Sequence, residues 1–311
     1  MPPDPNIDGI IRDPAQWLAW VAGLDAPMHC PSTARGAFLV SPHGFSLTIE
    51  SARDNHYMAT GAVDSELALR QHADLAQAVG RSLPVQVFPG SADTPDAVFP
   101  NNVFATVPGK LIVGAMRHAV RQRESLRSDL PAWFVDQHGY RIERIDRPGV
   151  VAELTGPLII DHARGIGYCG ITERVNEVGL RAMRQAFGLR AVLAFDLVAG
   201  EYHTNVLMSV LAGRVLVIHA ASFADPQIPK AIASLYGGNT LWLSDDEKSA
   251  FVGNCIALRD DEVWMSARAA QALSIEHRDL LTRVGFAIRS VDISEIEKAG
   301  GSLRCCIGEV W

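Results

Sequence analysis

The chain has 311 residues, 48% of them hydrophobic and 20% charged, so it is long and apolar enough to bury a large core. Its 28 basic and 35 acidic residues give a net charge of −7 without a basic stripe or aromatic ladder, which argues against nucleic acid as a partner. It has no apolar run of the roughly 20 residues that a transmembrane helix needs and no signal-peptide pattern at its start, so we expect a cytoplasmic protein without a membrane partner.

Short apolar runs rich in Val, Ile and Leu alternate with amphipathic helical patterns, which indicates an α/β fold. Strands are predicted over residues 36–42, 110–116, 157–161, 191–198, 206–219 (bent at Gly213) and 256–265. Helices are predicted over residues 64–79, from 172 to the residue before Gly188, from 225 onwards, and from 266 to the residue before Gly285. Periodicity alone favours an open parallel sheet. Nothing marks a domain boundary, so we expect a single domain over residues 1–311, with 1–30 as a peripheral N-terminal segment.

The cysteines argue against a disulfide framework and against a CxxC zinc site, because an odd number of them stands at irregular spacings. They are Cys30, Cys169, Cys255, Cys305 and Cys306. Most are expected to be buried, unreactive thiols. Neither a metal nor an organic cofactor is implied.

Cys305 stands out because it follows a glycine pair in the segment Gly-Gly-Ser-Leu-Arg-Cys-Cys, residues 300–306. A flexible glycine pair can present a nucleophile at one fixed position, and the positive charge of Arg304 would favour the Cys305 thiolate. The alternative is that Cys305 is a small core residue, as most lone cysteines are.

Three upstream segments combine polar groups with neighbouring apolar runs. They are Phe-Pro-Asn-Asn at 99–102, Glu-Leu-Thr-Gly at 153–156 and Tyr-His-Thr-Asn at 202–205. Each has an ordinary interpretation: Pro-Asn-Asn is also turn chemistry, and Glu153 could be a solvated carboxylate at a strand end. Most of the ten histidines are expected to be ordinary residues, such as His219 at the end of an apolar strand, which is interpreted as a satisfied core residue.

Taken together, these four segments resemble the guanidino-group-modifying superfamily, which holds arginine deiminases, dimethylarginine hydrolases, succinylarginine dihydrolases and amidinotransferases. The likeness runs from about residue 38 to the C-terminus and is strongest to the branch described as citrulline hydrolases. It implies a fold of five ββαβ-type units around a pseudo-fivefold axis, an α/β-propeller with the active site in its central channel. No internal repeat is legible in the sequence itself.

The resemblance also implies catalytic roles. Cys305 aligns with the superfamily nucleophile, whereas Cys306 occupies a position where relatives often carry Met and is interpreted as core. His203 aligns with the general acid/base histidine, and Glu153 with a glutamate that orients this histidine or accepts a substrate N–H. Leu154 replaces a glycine of the family pattern, so the backbone is expected to differ there.

For substrate binding, the resemblance implies Phe99, Asn102 and Asn205, with asparagines where deiminases place aspartates. An amide both donates and accepts hydrogen bonds, so it suits a neutral ureido group better than a cationic guanidinium. Arg121 and Arg123 are candidates for the substrate α-carboxylate, although a solvated helix face explains them equally well. The expected partner is a small amino acid, and a homo-oligomer stays open.

The resulting hypothesis is a cysteine-dependent hydrolase that converts citrulline to ornithine, carbon dioxide and ammonia. Alternatives are an arginine deiminase or dihydrolase, a dimethylarginine hydrolase, an amidinotransferase, and a non-catalytic propeller that only binds a partner. Residues 165–170 fit the dinucleotide-binding pattern G-x-G-x-x-G. This interpretation is disfavoured because three residues separate the motif from its preceding strand. In addition, the first acidic residue that closes a following strand, Asp196, stands 26 residues past Gly170, where about 20 are expected.

Overall fold

The computed structural model describes residues 9–24 and 31–311, and it contains sixteen strands within them. They are β1 (Ile10–Ile11), β2 (Gly36–Val40), β3 (Val85–Phe88), β4 (Phe104–Val107), β5 (Lys110–Val113), β6 (Arg141–Arg144), β7 (Leu158–Asp161), β8 (Ile166–Ile171), β9 (Ala191–Asp196), β10 (Met208–Leu211), β11 (Val215–Ile218), β12 (Thr240–Trp242), β13 (Ile256–Arg259), β14 (Glu262–Ser266), β15 (Ala287–Val291) and β16 (Gly308–Val310).

The helices within the same residues are mostly short, and three single 3₁₀ turns accompany them at Pro100–Asn102, Arg123–Leu126 and Ala220–Ser222. They are α1 (Pro14–Ala22), α2 (Ile49–Ala52), α3 (Ser65–Val79), α4 (Ala119–Gln122), α5 (Asp129–His138), α6 (Glu177–Phe187), α7 (Thr204–Leu207), α8 (Gln227–Ala233), α9 (Asp245–Ser249), α10 (Ala267–Ala272), α11 (Ile275–Arg283), α12 (Ser294–Glu297) and α13 (Leu303–Cys306). None of these helices is long and apolar enough to cross a membrane.

The strands of the described residues form five small sheets with one internal pattern. Their orders are β16-β2-β3, β4-β5-β6, β7-β8-β9 with β1 added beside β9, β10-β11-β12, and β13-β14-β15. In each sheet the first pair is antiparallel and the second pair is parallel. The mixed α/β class is confirmed, but the open parallel sheet favoured by periodicity is wrong. A short strand that is buried on both faces has a continuous apolar sequence whether its partner is parallel or antiparallel. The apolar pattern therefore could not reveal the antiparallel pairs.

One feature of this pattern positions the functional residues: a short turn directly precedes the first strand of each sheet. The turn at Pro100–Asn102 precedes β4, α7 precedes β10, and α13 precedes β16. Residues 153–156 precede β7, and residues 251–254 precede β13 in the same way. Side chains from all five sheets are therefore carried on equivalent segments.

The N-terminal segment predicted as peripheral is only partly so. Within residues 9–24, β1 pairs with β9 in parallel, and Trp17 on α1 is fully buried against Tyr168. Asp13 caps α1 by accepting a hydrogen bond from the backbone N–H of Gln16 at 2.8 Å. This part belongs to the core, because the two isoleucines of β1 extend the apolar face of the sheet. Residues 1–8 and 25–30, including Cys30, lie outside the described residues.

Several segments that were predicted as one strand or one helix each contain two or more elements in the structure. The run at 206–219 is the end of α7 followed by the hairpin β10–β11, in which Gly213 has a φ of +65°. The helix predicted from residue 266 is two helices, since Ser274 caps α11 with its own side chain. The glycines of the 165–170 motif lie at and within β8 rather than in the strand-to-helix turn that a dinucleotide-binding motif forms.

Candidate active site

A cleft of about 330 Å³ contains five of the eight site residues predicted from the sequence. They are Phe99, Asn102, Arg121, His203 and Cys305. Other polar groups line the same cleft without having been predicted: Asp96, Arg174 and Tyr202. The described residues contain no group of three or more His, Cys, Asp or Glu side chains that could hold a metal ion.

Cys305 lies on α13, which begins two residues after the glycine pair, and it is 2% exposed. A side chain at Gly301 would place a Cβ 3.0 Å from the Phe99 ring, so glycine lets this segment approach the ring closely. The Ser302 hydroxyl, at the start of α13, donates a hydrogen bond to the buried Glu297 carboxylate at 2.6 Å. The thiol is thus held by the fold rather than carried on a loose tail.

Two side-chain amides point their N–H groups at the sulfur. Asn205 Nδ2 lies 3.5 Å and Asn254 Nδ2 lies 3.3 Å from Cys305 Sγ. Burial raises the pKa of the Cys305 thiol, while these donors and the charge of Arg304 lower it by less. Arg304 favours the thiolate, as expected, but burial has the larger effect on the pKa, so the resting group is a thiol. The amides are placed to stabilise negative charge on sulfur when it forms.

Cys306 has a different environment, although it is the next residue. It is fully buried among core side chains, and its Sγ lies 3.6 Å from the carbonyl oxygen of Ser302. Burial raises its pKa well above the usual value for a thiol. Its position agrees with the interpretation of Cys306 as a core residue.

His203 and Glu153 form a fully enclosed pair. His203 Nε2 lies 2.9 Å from Glu153 Oε2, and the two residues are 1% and 0% exposed. Burial lowers the pKa of His203 although Glu153 opposes this, so the imidazole is neutral at pH 7. His203 Nδ1 is buried and has no hydrogen-bond partner among the described residues. The ring packs directly on Gly156, where a Cβ would lie 2.7 Å from Cε1.

Glu153 is an ionised carboxylate in spite of its burial. Burial alone would raise its pKa, but Arg174 and His203 hold it well below the usual range. Arg174 Nη1 donates to Oε2 at 3.1 Å, and the backbone N–H of Arg117 donates to Oε1 at 3.1 Å. Arg174 is itself fixed by two 2.6 Å contacts to Asp54. This network orients the carboxylate toward the histidine ring.

Leu154 follows Glu153 with a φ of +36°, in the left-handed region that glycine adopts without strain. Its side chain is fully buried in the core cluster beneath β7. The departure from the family pattern therefore leaves an ordinary side chain in a conformation that favours glycine, and burial of the leucine stabilises it there.

The predicted substrate-binding residues separate into two groups. Asn102 lines the cleft, and its Oδ1 is buried without a partner among the described residues. Asn205 is not among the residues that line the cleft; its Nδ2 contacts Cys305 Sγ and also donates to the Thr155 carbonyl oxygen at 3.1 Å. The Asn205 amide therefore contacts the Cys305 thiol, and its role in substrate binding stays a prediction.

The two predicted arginines also differ. Arg121 is 3% exposed and lines the cleft, paired with Glu124 through two 2.8 Å hydrogen bonds and with the Phe99 carbonyl oxygen at 3.0 Å. Arg123 is exposed and its side chain reaches only the Asp93 carbonyl oxygen at 3.5 Å. Arg123 therefore does not line the cleft, since residues two apart on a helical turn point in different directions.

Asn254 and Arg174 were missed by sequence reasoning. Asn254 is fully buried, donates to Cys305 Sγ and also donates to the Asn205 carbonyl oxygen at 2.7 Å. The available signal was positional: Asn254 stands just before the first strand of its sheet, as Asn102, Asn205 and Cys305 do. Arg174 had no comparable signal, because its partners are distant in the chain.

The chain matches one family model and is similar to several known proteins. A family model described as N,N dimethylarginine dimethylhydrolase, eukaryotic, matches residues 41–311. The uncharacterized protein YkgA of Bacillus subtilis (strain 168) is 22% identical over 238 residues, which are 76% of this chain and 77% of that protein.

Two solved structures share the fold. The N-terminal domain of ArgZ, described as an arginine dihydrolase in cyanobacteria and solved with substrate bound, has a TM-score of 0.76 and 18% identity, covering 88% of this chain and 97% of that one. DDAH from Pseudomonas aeruginosa in complex with citrulline has a TM-score of 0.68 and 21% identity, covering 89% of this chain and 99% of that one. Since the family model spans most of its length, the chain belongs to the N,N dimethylarginine dimethylhydrolase family and is a cysteine-dependent C–N hydrolase of the guanidino-group-modifying superfamily.

Proposed function

We propose that the chain hydrolyses the terminal C–N bond of a ureido or guanidino amino acid, and that citrulline is its preferred substrate. The observation that carries this proposal is the cleft itself. It joins a thiol held by two amide N–H groups, a neutral imidazole with a free Nδ1, and a neutral amide, Asn102, with an unpaired oxygen. These groups supply a nucleophile, a base and a hydrogen-bonding partner for the planar ureido or guanidino group.

In the proposed reaction, Cys305 Sγ forms a bond to the ureido carbon while His203 Nδ1 takes the thiol proton. The C–N bond to the terminal nitrogen then breaks, and His203 returns the proton so that ammonia leaves. Water, deprotonated by His203, attacks the resulting thiocarbamate and releases the thiol. The carbamate of ornithine loses carbon dioxide, so citrulline and water give ornithine, carbon dioxide and ammonia. Asn205 and Asn254 stabilise charge on sulfur.

The preference for citrulline rests on the charge near the scissile group. Asn102 is neutral, and the Glu153 oxygens are already occupied by His203, Arg174 and the Arg117 backbone. Neither Asn102 nor Glu153 therefore offers a guanidinium an unoccupied carboxylate oxygen, whereas a ureido group can exchange hydrogen bonds with the Asn102 amide. Each tenfold difference in affinity requires about 1.4 kcal/mol, which one mismatched charge in a buried site can supply.

Arginine is the second candidate, and a specific residue favours it. Asp96 is 3% exposed and lines the cleft, where it accepts a hydrogen bond from the Ser51 hydroxyl at 2.7 Å. A buried carboxylate of this kind suits a cation. We assign it to the substrate α-ammonium group, but pairing with a guanidinium would instead make the chain an arginine dihydrolase.

We also propose that the five sheets are arranged as five units around a pseudo-fivefold axis, as one domain over residues 1–311 with the cleft in the central channel. The support is the repeated pairing pattern and the five equivalent segments, each placed before the first strand of its sheet. Four of these segments supply cleft or thiol contacts through Asn102, Asn205, Asn254 and Cys305.

The test is to incubate the protein separately with citrulline, arginine and Nω,Nω-dimethylarginine and to identify every product. Citrulline hydrolysis gives ornithine and one ammonia, arginine dihydrolysis gives ornithine and two, and dimethylarginine hydrolysis gives citrulline and dimethylamine. Amidino transfer gives no ammonia and needs an acceptor amine, for which glycine can be added. We expect the highest kcat/KM with citrulline. A higher value for either guanidino compound would overturn the substrate assignment and keep the reaction class.

A further inference from the structure

A second cavity lies behind the nucleophile segment. It consists of two adjoining lobes, which share His162, Arg304 and Glu309 as lining residues. No residue that lines these lobes also lines the catalytic cleft. Arg304 and Cys305 are neighbours in the chain, but Arg304 lines the second cavity and Cys305 lines the cleft. The two spaces are thus back to back across the α13 segment.

An ion pair of opposite charges lies in the wall of both lobes. Arg304 Nη2 donates to Glu309 Oε2 at 2.9 Å, and the two side chains are only 12% and 13% exposed. Burial raises the pKa of Glu309, with Arg304 alone opposing it. Burial and the charge of Arg304 lower the pKa of His162 to about 3, so this ring is neutral. The 2.9 Å ion pair places a guanidinium and a carboxylate side by side in the cavity wall.

Asn101 adds an unused acceptor in the smaller lobe. The residue is 1% exposed, and its Nδ2 donates to Thr155 Oγ1 at 3.1 Å. Thr155 Oγ1 in turn donates to the Asn101 carbonyl oxygen at 3.1 Å, so the side chain is fixed in place. Its Oδ1 is buried and has no donor within residues 9–24 and 31–311. Buried amide oxygens nearly always accept a hydrogen bond, so this atom suits an N–H group of a ligand.

We propose that this second cavity is a binding site for a small zwitterionic α-amino acid, separate from the catalytic cleft. The ligand carboxylate binds Arg304, and its ammonium group binds Glu309, with Asn101 Oδ1 as a further acceptor. The charge pattern decides between ligand classes: a simple anion would face the Glu309 carboxylate, and a simple cation would face the Arg304 guanidinium. A molecule that carries both charges on neighbouring atoms satisfies both residues.

The site is tested by calorimetric titration with L-ornithine, which needs no turnover and so remains informative if the proposed function fails. Asp96→Asn is used as the starting variant because it weakens binding in the catalytic cleft. We expect ornithine binding that persists in Asp96→Asn and whose Kd rises at least ~tenfold when Glu309→Gln is added. Glu262→Gln is the matched control, since Glu262 is 12% exposed and forms a comparable ion pair with Arg289 elsewhere.

Two analogues test the zwitterion requirement. Putrescine lacks the carboxylate and 5-aminopentanoate lacks the α-ammonium group, so each is expected to bind at least ~tenfold more weakly than ornithine. Absence of any Glu309-dependent binding, or equal binding of either analogue, overturns the proposal. If Glu309→Gln does not fold, wild-type crystals soaked in ornithine decide: density between Arg304 and Glu309 supports the site, and density confined to the cleft overturns it.

Discussion

Glu153 Oε2 lies 2.9 Å from His203 Nε2, and this contact determines which ring nitrogen of His203 is basic. The pKa of Glu153 is held well below its usual range, so the carboxylate can only accept a hydrogen bond. Nε2 must therefore carry the proton. Because burial also lowers the pKa of His203, the ring is neutral and Nδ1 is unprotonated. The fold thus provides one base, at the nitrogen that has no partner among the described residues.

The first prediction follows from this tautomer. Glu153→Gln keeps the shape of the side chain but can turn an N–H toward the ring, which favours the opposite tautomer. We expect kcat to fall at least ~100-fold, the usual scale for a lost acid/base group, with a small change in KM. The matched control is Glu247→Gln, since Glu247 Oε1 lies 2.7 Å from His277 Nδ1 outside the cleft. Equal rates for Glu153→Gln and wild type would remove the pair from the mechanism.

The second prediction separates the two adjacent sulfurs. Cys305→Ser should abolish product formation, because the hydroxyl of serine is a far weaker nucleophile at this position. Cys306→Ser should retain most of the activity, since its side chain is packed in the core and does not line the cleft. The measurement is product release together with mass spectrometry of the trapped covalent intermediate. A comparable loss in both variants would mean that the wrong sulfur has been assigned.

Whether a site residue could be predicted depends on whether the pattern that identifies it lies in its own segment or in contacts that are distant in the chain. Cys305, His203 and Glu153 each stand in a local segment with a recognisable composition. Asn254 and Arg174 acquire their roles only through pairing of distant strands, and local patterns contain no information about that pairing. The position of Asn254 before β13 becomes meaningful only when the five sheets are seen to share one pattern.

The orientation of the two arginines and the direction of the strands could not be predicted for the same reason. Arg121 and Arg123 carry identical side chains two residues apart, and only the direction of a short helical turn separates the one in the cleft from the exposed one. The strand direction was equally hidden: β16 pairs antiparallel with β2 although nearly the whole chain lies between them. Helix ends were easier to predict, because caps such as Asp64 on α3 act through neighbours in the chain.

The third prediction concerns the charge state of the nucleophile. Burial raises the pKa of Cys305, so the thiolate fraction of the free enzyme is small at pH 7 and increases as the pH rises. We expect the rate of alkylation by iodoacetamide to increase about tenfold per pH unit from pH 7 to beyond pH 8.5. Asn254→Leu removes one donor to the sulfur and should shift this curve to higher pH. A rate that is already constant below pH 7 would contradict the prediction.

The fourth prediction uses a buried histidine outside the site. His72 on α3 is 2% exposed, and burial lowers its pKa from 6.5 to about 4. The unfolded chain binds this proton below about pH 6.5 but the folded chain only below about pH 4, so stability is lost as the pH falls between these values. The shift of about 2.5 units at 1.36 kcal/mol each gives a loss of roughly 3 kcal/mol.

His72→Leu removes the proton-binding group and should flatten this part of the pH dependence. The measurement is the free energy of urea unfolding at pH 7 and at pH 4.5 for both proteins. Other groups titrate in the same range, so the informative quantity is the difference between the two pH dependences. Identical slopes for the variant and the wild type would show that His72 does not have a lowered pKa.

The last prediction tests the substrate assignment through Asn102. Its Oδ1 lies unpaired in the cleft, so the amide is free to exchange hydrogen bonds with a ureido group. Asn102→Asp removes the amide donor and adds a negative charge facing the ureido oxygen. Loss of one buried hydrogen-bond partner costs ~1 to 3 kcal/mol, so kcat/KM for citrulline should fall roughly five- to a hundredfold. Arginine should lose much less, or gain, because a carboxylate attracts its guanidinium. The quantity to measure is the ratio of kcat/KM for citrulline to that for arginine, with Asn239→Asp as the control at a partly exposed residue that does not line the cleft. A ratio that stays constant or rises in Asn102→Asp would show that this residue does not read the charge of the scissile group, and the preference for citrulline would lose its physical basis.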